Sequence, residues 1–214
     1  MQSIALIDYG SGNLRSAEKA LLKVAASLGG AREVAVTADP QVVAAADAIV
    51  LPGVGAFKAC MDAVDARAGL TEALNAAVRA RGVPYLGICV GMQLMAARGR
   101  EFGATPGFGW LEGEVRRIEP DGPSFKVPHM GWNALIDMAG HPLFDGLAAG
   151  VPVYFTHSFA FFPERNDDVI AWTDHGGRFP VAVARGNMAG VQFHPEKSQA
   201  AGLRLLANFL EWRP

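Results

Sequence analysis

The chain has 214 residues, of which 50% are hydrophobic and 19% charged, and its formal net charge at pH 7 is −2. This composition fits a single α/β domain over residues 1–214. It does not favour binding to nucleic acid, binding to an anionic membrane, or a disordered chain. The two cysteines make no disulfide framework or zinc-like spacing, and no signal peptide or membrane span is predicted, so we expect a cytoplasmic protein without a metal.

The first hundred residues alternate β-like runs with helical ones. Such alternation is typical of crossover connections and predicts a parallel sheet. The predicted strands are Ile4–Asp8, Glu33–Thr37, Ala48–Leu51 and Pro84–Ile88, and the predicted helices are Asn13–Leu28, Phe57–Arg81 and Val90–Arg98.

The second half has short apolar runs separated by turn residues, which predicts antiparallel hairpins. An amphipathic helix, Gln199–Trp212, closes the chain and is expected to cover the sheet. We therefore predict an α/β fold with an open, mostly parallel central sheet flanked by helices and an additional antiparallel β-sheet in the C-terminal half. The predicted strands there are Glu114–Ile118, Ala134–Ile136, Val153–His157, Val169–Thr173, Val181–Arg185 and Met188–Phe193.

Cys89 stands between two glycines, directly after an apolar strand and before a helical run. A glycine-x-nucleophile-x-glycine turn reverses the chain sharply and lifts the side chain clear of the sheet. The start of a helix favours the thiolate, which is the reactive form of cysteine. The pattern predicts a nucleophile elbow, although a lone buried thiol is the commoner interpretation of one cysteine.

His194 ends another apolar strand, and Glu196 follows two residues later. On extended backbone these side chains share a face, so the carboxylate can orient the imidazole and stabilise its charged form. Alone, His194 is more often a satisfied strand-end histidine. Because Cys89 and His194 both fall at strand ends, where open α/β sheets place their sites, together they predict nucleophile, base and orienting carboxylate.

The segment Leu51–Phe57 is rich in glycine and follows a third apolar strand. Its backbone N–H groups are candidates to complete an oxyanion hole. Neither this segment nor Gly10–Gly12 has the third glycine of a dinucleotide loop, so no nucleotide cofactor is predicted.

The Gly-Ile-Cys-Val-Gly-Met-Gln elbow and the Phe-His-Pro-Glu segment resemble those of class I glutamine amidotransferases, and the resemblance runs nearly end to end. Within that class the chain is similar to the glutaminase subunits of imidazole glycerol phosphate synthases. The segments that carry this closer similarity are Asp8–Ser16, Pro52–Phe57, Val127–Asn133, Tyr154–Ser158 and Gly190–Ser198.

The resemblance implies a catalytic triad of Cys89, His194 and Glu196 that hydrolyses L-glutamine through a thioester, without a cofactor. It implies an oxyanion hole from the backbone of Val90 and of the Gly53–Val54 region. It also implies that the glutamine pocket is lined by Gly55, Gln93, His157 and Ser158. The alternative without a functional role is that Gln93 is an exposed polar position on a helix and that His157 and Ser158 form a turn.

The resemblance further implies a heterodimer in histidine biosynthesis. Ammonia would pass through a channel to a separate (β/α)₈ cyclase subunit, which this chain is too short to include. The residues expected to face that partner are Trp132, Asn133, Tyr154 and Lys197, although an aromatic residue near a turn is more often part of a core.

Two positions depart from the family pattern. Phe159 replaces the usual tyrosine and so lacks the hydroxyl for the hydrogen bond that the family pattern implies, and Val90 replaces a commoner leucine. Ser11 and Glu101–Gly103 are interpreted as tolerated variation. The open alternatives are a glutaminase subunit of another synthase, such as anthranilate synthase, a stand-alone γ-glutamyl thiol hydrolase, and a non-catalytic paralogue used for binding.

Overall fold

A seven-stranded sheet forms the centre of the computed structural model, which describes residues 1–214. Five neighbouring strands run parallel to one another, and the two strands at the other edge pair in antiparallel fashion. In spatial order the strands are β11 (Val169–Asp174), β12 (Arg178–Arg185), β13 (Met188–Val191), β4 (Tyr85–Cys89), β3 (Ala48–Gly53), β1 (Gln2–Ile7) and β2 (Arg32–Thr37).

Six α-helices connect or cover these strands. Helix α1 (Leu14–Ser27) packs against α6 (Gln199–Glu211), and α2 (Pro40–Ala45) packs against α4 (Leu70–Asn75). The predicted C-terminal amphipathic helix is confirmed as α6, whose buried face includes Leu206, Phe209 and Leu210. The helices are α1 (Leu14–Ser27), α2 (Pro40–Ala45), α3 (Phe57–Asp65), α4 (Leu70–Asn75), α5 (Val90–Gln93) and α6 (Gln199–Glu211).

Two smaller sheets lie beside the central one. A four-stranded sheet has the order β10 (Phe159–Pro163), β7 (Leu111–Arg117), β5 (Ala96–Gly99) and β6 (Thr105–Pro106), and an antiparallel ribbon pairs β8 (His129–Ala134) with β9 (Pro152–His157). The predicted fold class is confirmed. The four-stranded sheet is mixed, because β5 and β7 run parallel.

The helix predicted over Phe57–Arg81 is interrupted. Between α3 and α4, Gly69 adopts a φ of +78°, a left-handed conformation that glycine accepts without a Cβ penalty. After α4 the chain continues as a π-helical turn over Ala76–Ala80. The glycine was the sequence signal for this break.

Two other element predictions are wrong in type or position, and some elements were missed. The helix predicted over Val90–Arg98 ends at Gln93, and part of it forms β5 instead. The strand predicted at Ala134–Ile136 lies earlier, as β8, and β10 was not predicted at all. Short apolar runs fit a helix or a strand equally well, and pairing with β7 decides both β5 and β10.

The carboxyl ends of three neighbouring strands meet at one edge of the central sheet. Strand β4 ends at Cys89, β3 ends at Gly53, and β13 leads into His194. Open α/β sheets hold their sites at this edge. None of the helices combines the length and the apolar character that a membrane crossing requires.

Candidate active site

Cys89 occupies a strained turn between β4 and α5. Its φ is +53° and its ψ −110°, an uncommon conformation for a residue with a Cβ. A Cβ on Gly87 would lie 2.4 Å from the carbonyl oxygen of Gly91, and one on Gly91 would lie 1.8 Å from that of Leu51. The two flanking glycines are therefore required by close backbone packing, as the elbow predicts.

The thiol is less exposed, and its helix shorter, than an ideal elbow suggests. Cys89 is 4% exposed and is reached through a cavity. Helix α5 is only four residues long, so its dipole contributes less at the sulfur than the longer predicted helix would. Side-chain groups near the sulfur therefore matter more to its electrostatic environment than the helix dipole does.

His194 and Glu196 form the predicted pair. His194 Nδ1 lies 2.8 Å from Glu196 Oε1, and both side chains are almost fully buried. The carboxylate reaches the ring through a 3₁₀ turn over Pro195–Lys197, not along extended backbone as expected. Asn13 donates its amide Nδ2 to the same carboxylate oxygen, while Glu196 Oε2 has no partner.

The surroundings of His194 favour its charged form. Burial lowers its pKa, but hydrogen bonds and charge interactions with Cys89 and Glu196 outweigh burial and raise the pKa to about 10. With Glu196 on Nδ1, the other ring nitrogen is available to the thiol. The imidazolium is consequently the stable form of His194 at neutral pH.

The backbone N–H groups predicted to form the oxyanion hole are not equally free to bind an oxyanion. Val90 is the first residue of α5, so its backbone N–H has no intrahelical acceptor. The N–H of Val54 donates to Ser11 Oγ at 2.9 Å and is thus not free in this conformation. Gly53 pairs with Cys89 across β3 and β4.

A cavity of about 400 Å³ opens over the thiol. It brings together Cys89 and His194 with all four residues predicted to bind glutamine. Its lining residues are Asn13, Val54, Gly55, Cys89, Val90, Gln93, Glu101, Thr156, His157, Ser158, Phe159, His194 and Lys197.

Gln93 is a buried part of the site, so its interpretation as an exposed helix position is wrong. It is 4% exposed, and its Nε2 donates to the Phe159 carbonyl oxygen at 3.0 Å and to Gln192 Oε1 at 2.9 Å. Because the Phe159 contact uses the backbone, the change from tyrosine leaves it intact.

His157 is held in one neutral tautomer. Its Nδ1 donates to the Phe159 carbonyl oxygen at 2.9 Å, and its Nε2 accepts from His129 Nδ1 at 3.0 Å. Burial lowers the pKa of His157 to about 4 and, with the charges of neighbouring histidines, that of His129 to about 3. Asn133 Nδ2 donates to His129 Nε2 at 3.1 Å. A continuous series of hydrogen bonds therefore leads from the β8–β9 ribbon to the cavity.

The residues expected at a partner interface divide into two kinds. Trp132 is 49% exposed and lies opposite Tyr154 on the ribbon, and Lys197 Nζ lies 5.5 Å from the Tyr154 ring centroid. Trp132 is thus a surface residue and not part of the core. Asn133 instead turns its side chain inward, to His129 and to the carbonyl oxygen of Asp174.

Three polar residues of the site were not predicted. Glu101 lines the cavity, and its Oε2 accepts from the N–H of Phe57 at 2.8 Å, which caps the start of α3. Asn13 binds Glu196, and Ser11 binds Val54. Glu101 and Ser11 were interpreted as tolerated variation, and because their partners lie 44 and 43 positions away, no local pattern marks their contacts.

The sequence profile of the glutamine amidotransferase class-I family matches residues 5–212. The chain is 58% identical over 214 residues to imidazole glycerol phosphate synthase subunit HisH from Caulobacter vibrioides, with 100% of both chains covered. It is 53% identical to the subunit of the same name from Ruegeria pomeroyi, covering 98% of this chain and 99% of that one.

Solved structures resemble the fold at lower identity. A crystal structure of a glutamine amidotransferase superposes with a TM-score of 0.71 at 20% identity, covering 97% of both chains. A crystal structure of a glutamine amidotransferase from Thermotoga maritima gives a TM-score of 0.61 at 15% identity, with 91% of this chain and 76% of that one covered. At these identities the likeness concerns the fold alone.

Proposed function

Because the chain belongs to the class I glutamine amidotransferases, and within them to the family of imidazole glycerol phosphate synthase subunit HisH, we propose that Cys89, His194 and Glu196 are its catalytic triad. The chain is a glutaminase that supplies ammonia for histidine biosynthesis. The observation that carries the proposed triad is His194, held by Glu196 and interacting with Cys89 at the wall of one cavity.

In the proposed reaction, the Cys89 sulfur attacks the side-chain amide carbon of glutamine. The carbonyl electrons move to oxygen, where the backbone N–H of Val90 stabilises the negative charge. When the tetrahedral intermediate collapses, the carbon–nitrogen bond breaks and the His194 imidazolium gives its proton to the leaving nitrogen. Ammonia departs, and a γ-glutamyl thioester remains on Cys89.

Water then hydrolyses the thioester. His194, now neutral, takes a proton from the water as its oxygen attacks the thioester carbon. The carbon–sulfur bond breaks, glutamate leaves and the thiolate–imidazolium pair is restored. Glu196 keeps the proton of the ring on Nδ1 through both steps, so that only the other nitrogen exchanges protons.

The charged end of glutamine has a matching group in the cavity. We place its α-ammonium beside the Glu101 carboxylate, because a buried-site carboxylate binds ammonium with charge-assisted hydrogen bonds. Gln93, Ser158 and the backbone at Gly55 supply further polar contacts. This arrangement selects a zwitterionic amino acid over a simple amide.

The proposed partner is the (β/α)₈ cyclase subunit of a cytoplasmic heterodimer, and its docking surface is the β8–β9 ribbon. Trp132 and Met130 expose 49% and 61% of their surfaces there, and Tyr154 and Lys197 continue the surface toward the cavity. Exposed aromatic and methionine side chains of this kind are enriched at protein interfaces. Asn133 contributes indirectly, through His129.

The test is glutamate release from glutamine by the purified chain, alone and with the cyclase partner plus its nucleotide ligand. Turnover should be weak alone and rise strongly in the complex, and Cys89→Ala should reduce both to background. Full activity without the partner would favour an independent γ-glutamyl hydrolase. Coupling only to a chorismate-using partner would favour a role in anthranilate synthase, and no turnover in any mixture would favour a binding role.

A further inference from the structure

A second side chain besides His194 reaches the sulfur of Cys89. Gln192 Nε2 donates to Cys89 Sγ at 3.5 Å, and Gln192 is fully buried. Its backbone N–H donates to the Val181 carbonyl oxygen at 2.8 Å, which fixes the chain just after β13 to β12. The donor is thus presented to the sulfur from a rigid part of the central sheet.

The orientation of the Gln192 amide is determined by Gln93. Gln192 Oε1 accepts a hydrogen bond from Gln93 Nε2 at 2.9 Å, and Gln93 Nε2 also donates to the carbonyl oxygen of Phe159 at 3.0 Å. Because the Phe159 oxygen can only accept, Gln93 must present its NH₂ group to both oxygens. Gln192 therefore points its own NH₂ group at Cys89.

We propose that Gln192 is a positioning residue that holds the Cys89 sulfur and stabilises its thiolate. The inference rests on the proposed function, in which Cys89 is the nucleophile. A thiolate that is 4% exposed loses most of its hydration, and hydrogen-bond donors from the protein must replace it. The dipole of the short helix α5 is a weak substitute.

The charged and titratable neighbours of Cys89 leave room for such a donor. His194 supplies a positive charge, whereas burial raises the pKa values of Tyr9 and Cys60, so these neighbours stay neutral and add no charge at this place. Gln192 adds a neutral donor to the same sulfur. Through Gln93, which lines the cavity, it also links glutamine binding to the state of the nucleophile.

The test measures the titration of the thiol directly. In a Cys60→Ala background Cys89 is the only cysteine, and its alkylation rate with iodoacetamide is followed from about pH 5 to about pH 10. Gln192→Met removes the donor without adding charge, and the midpoint should rise by about one pH unit. Gln192→Glu keeps an oxygen for Gln93 but places a carboxylate beside the sulfur, so its midpoint should rise further.

Steady-state kinetics in the cyclase complex provide the second measurement. Because the donor acts on the nucleophile, kcat should fall about tenfold in Gln192→Met with KM for glutamine changed less than about twofold. Midpoints within about 0.3 units of the parent in both folded variants would overturn the proposal, even if stability or turnover fell. If a variant does not fold, the other still decides.

The outcome is separable from the catalytic role of Cys89. Peptide mass spectrometry of alkylated wild-type protein gives the Cys89 midpoint without the Cys60 substitution. If Cys89→Ala retained glutaminase turnover, the proposed function would fail, whereas the Gln192 midpoints would still report on the thiolate. If Cys89→Ala is inactive and the midpoints do not move, only the role of Gln192 fails.

Discussion

The backbone N–H of Val54 donates a hydrogen bond to the hydroxyl oxygen of Ser11 at 2.9 Å. This contact holds the peptide between Gly53 and Val54 beside the cavity and uses a backbone donor that is a candidate for the oxyanion hole. A substrate-ready oxyanion hole that includes Val54 requires this hydrogen bond to break. We call the Ser11 hydroxyl a latch, because it holds the Gly53–Val54 peptide in a conformation in which the Val54 N–H is already hydrogen-bonded.

Ser11→Ala should raise glutaminase turnover of the chain without its partner. A neutral hydrogen bond contributes about 1 kcal/mol, so its loss should raise the population of the freed peptide, and thus the basal rate, roughly fivefold. Ser11→Thr keeps the hydroxyl and is the matched control. Glutamate release is the measurement, and an unchanged or lower rate in Ser11→Ala with a wild-type rate in Ser11→Thr would contradict the latch.

Cys89→Gly should be more stable than Cys89→Ala. The φ of +53° at this position strains any residue with a Cβ, and relief of such strain is worth on the order of 1–3 kcal/mol, which exceeds the added backbone entropy of glycine. The expected difference in the free energy of unfolding is about 1 kcal/mol, measured by chemical denaturation. Equal or reversed stabilities would mean that the turn is not strained. Both variants should lack glutaminase turnover.

Glu101→Gln should raise KM for glutamine roughly tenfold to a hundredfold, with a smaller change in kcat. The substituted side chain keeps an oxygen that can accept from the N–H of Phe57, but it lacks the negative charge that is proposed to face the α-ammonium of the substrate. Thermal unfolding should remain close to wild type for the same reason. A wild-type KM in the folded variant would place the α-ammonium elsewhere.

Trp132→Ala should weaken binding of the cyclase partner at least tenfold while changing the free energy of unfolding by less than about 1 kcal/mol. The side chain is half-exposed on the β8–β9 ribbon, where it packs edge-on against Tyr154. Trp110→Ala is the matched control, because Trp110 is 4% exposed and its loss should cost about 3–5 kcal/mol of stability. Titration calorimetry and denaturation separate the two effects; destabilisation by Trp132→Ala with unchanged affinity would refute the interface.

The free energy of unfolding should fall as the pH is lowered from about 6.5 to about 4. Burial holds the pKa of His157 at about 4 and that of His129 at about 3, below the value of 6.5 that both have in the unfolded chain. Both histidines therefore take up protons on unfolding in this window. Their contribution to stability is full above pH 6.5 and is lost as the pH falls toward the pKa values of the folded state. His129→Gln should reduce the slope by about one proton, or roughly 1.4 kcal/mol per pH unit. An unchanged slope in that variant would show that His129 is not buried neutral.

His194 contributes to stability in the opposite direction. Its pKa is raised to about 10, above the unfolded value, so its contribution is full below about pH 6.5 and fades as the pH rises toward 10. Well below pH 6.5 His194 is protonated in both states, so its contribution no longer changes with pH. The difference in slope between wild type and His129→Gln near pH 5 therefore reports on the buried neutral His129 and not on His194.

The sequence alone determined the fold class, the elbow and the His-Pro-Glu segment. These features are local: close backbone packing demands glycine at positions 87 and 91, and apolar strands leading into Cys89 and His194 predict adjacent strand ends. The alternation of strands and helices predicted the parallel sheet for the same reason. Where local signals were ambiguous, as at Ala96–Gly99, pairing with a distant strand decided the structure.

Only the tertiary structure decided which polar groups meet at the sulfur and the oxyanion loop. Gln192 and Gln93 are 99 positions apart, and Ser11 and Val54 are 43 apart, so no local pattern marks either pair. Likewise, burial and not residue type fixes the pKa values of His129 and His157. Hydrogen bonds and desolvation depend on distances of a few ångströms, which the folded chain sets and the order of residues does not state.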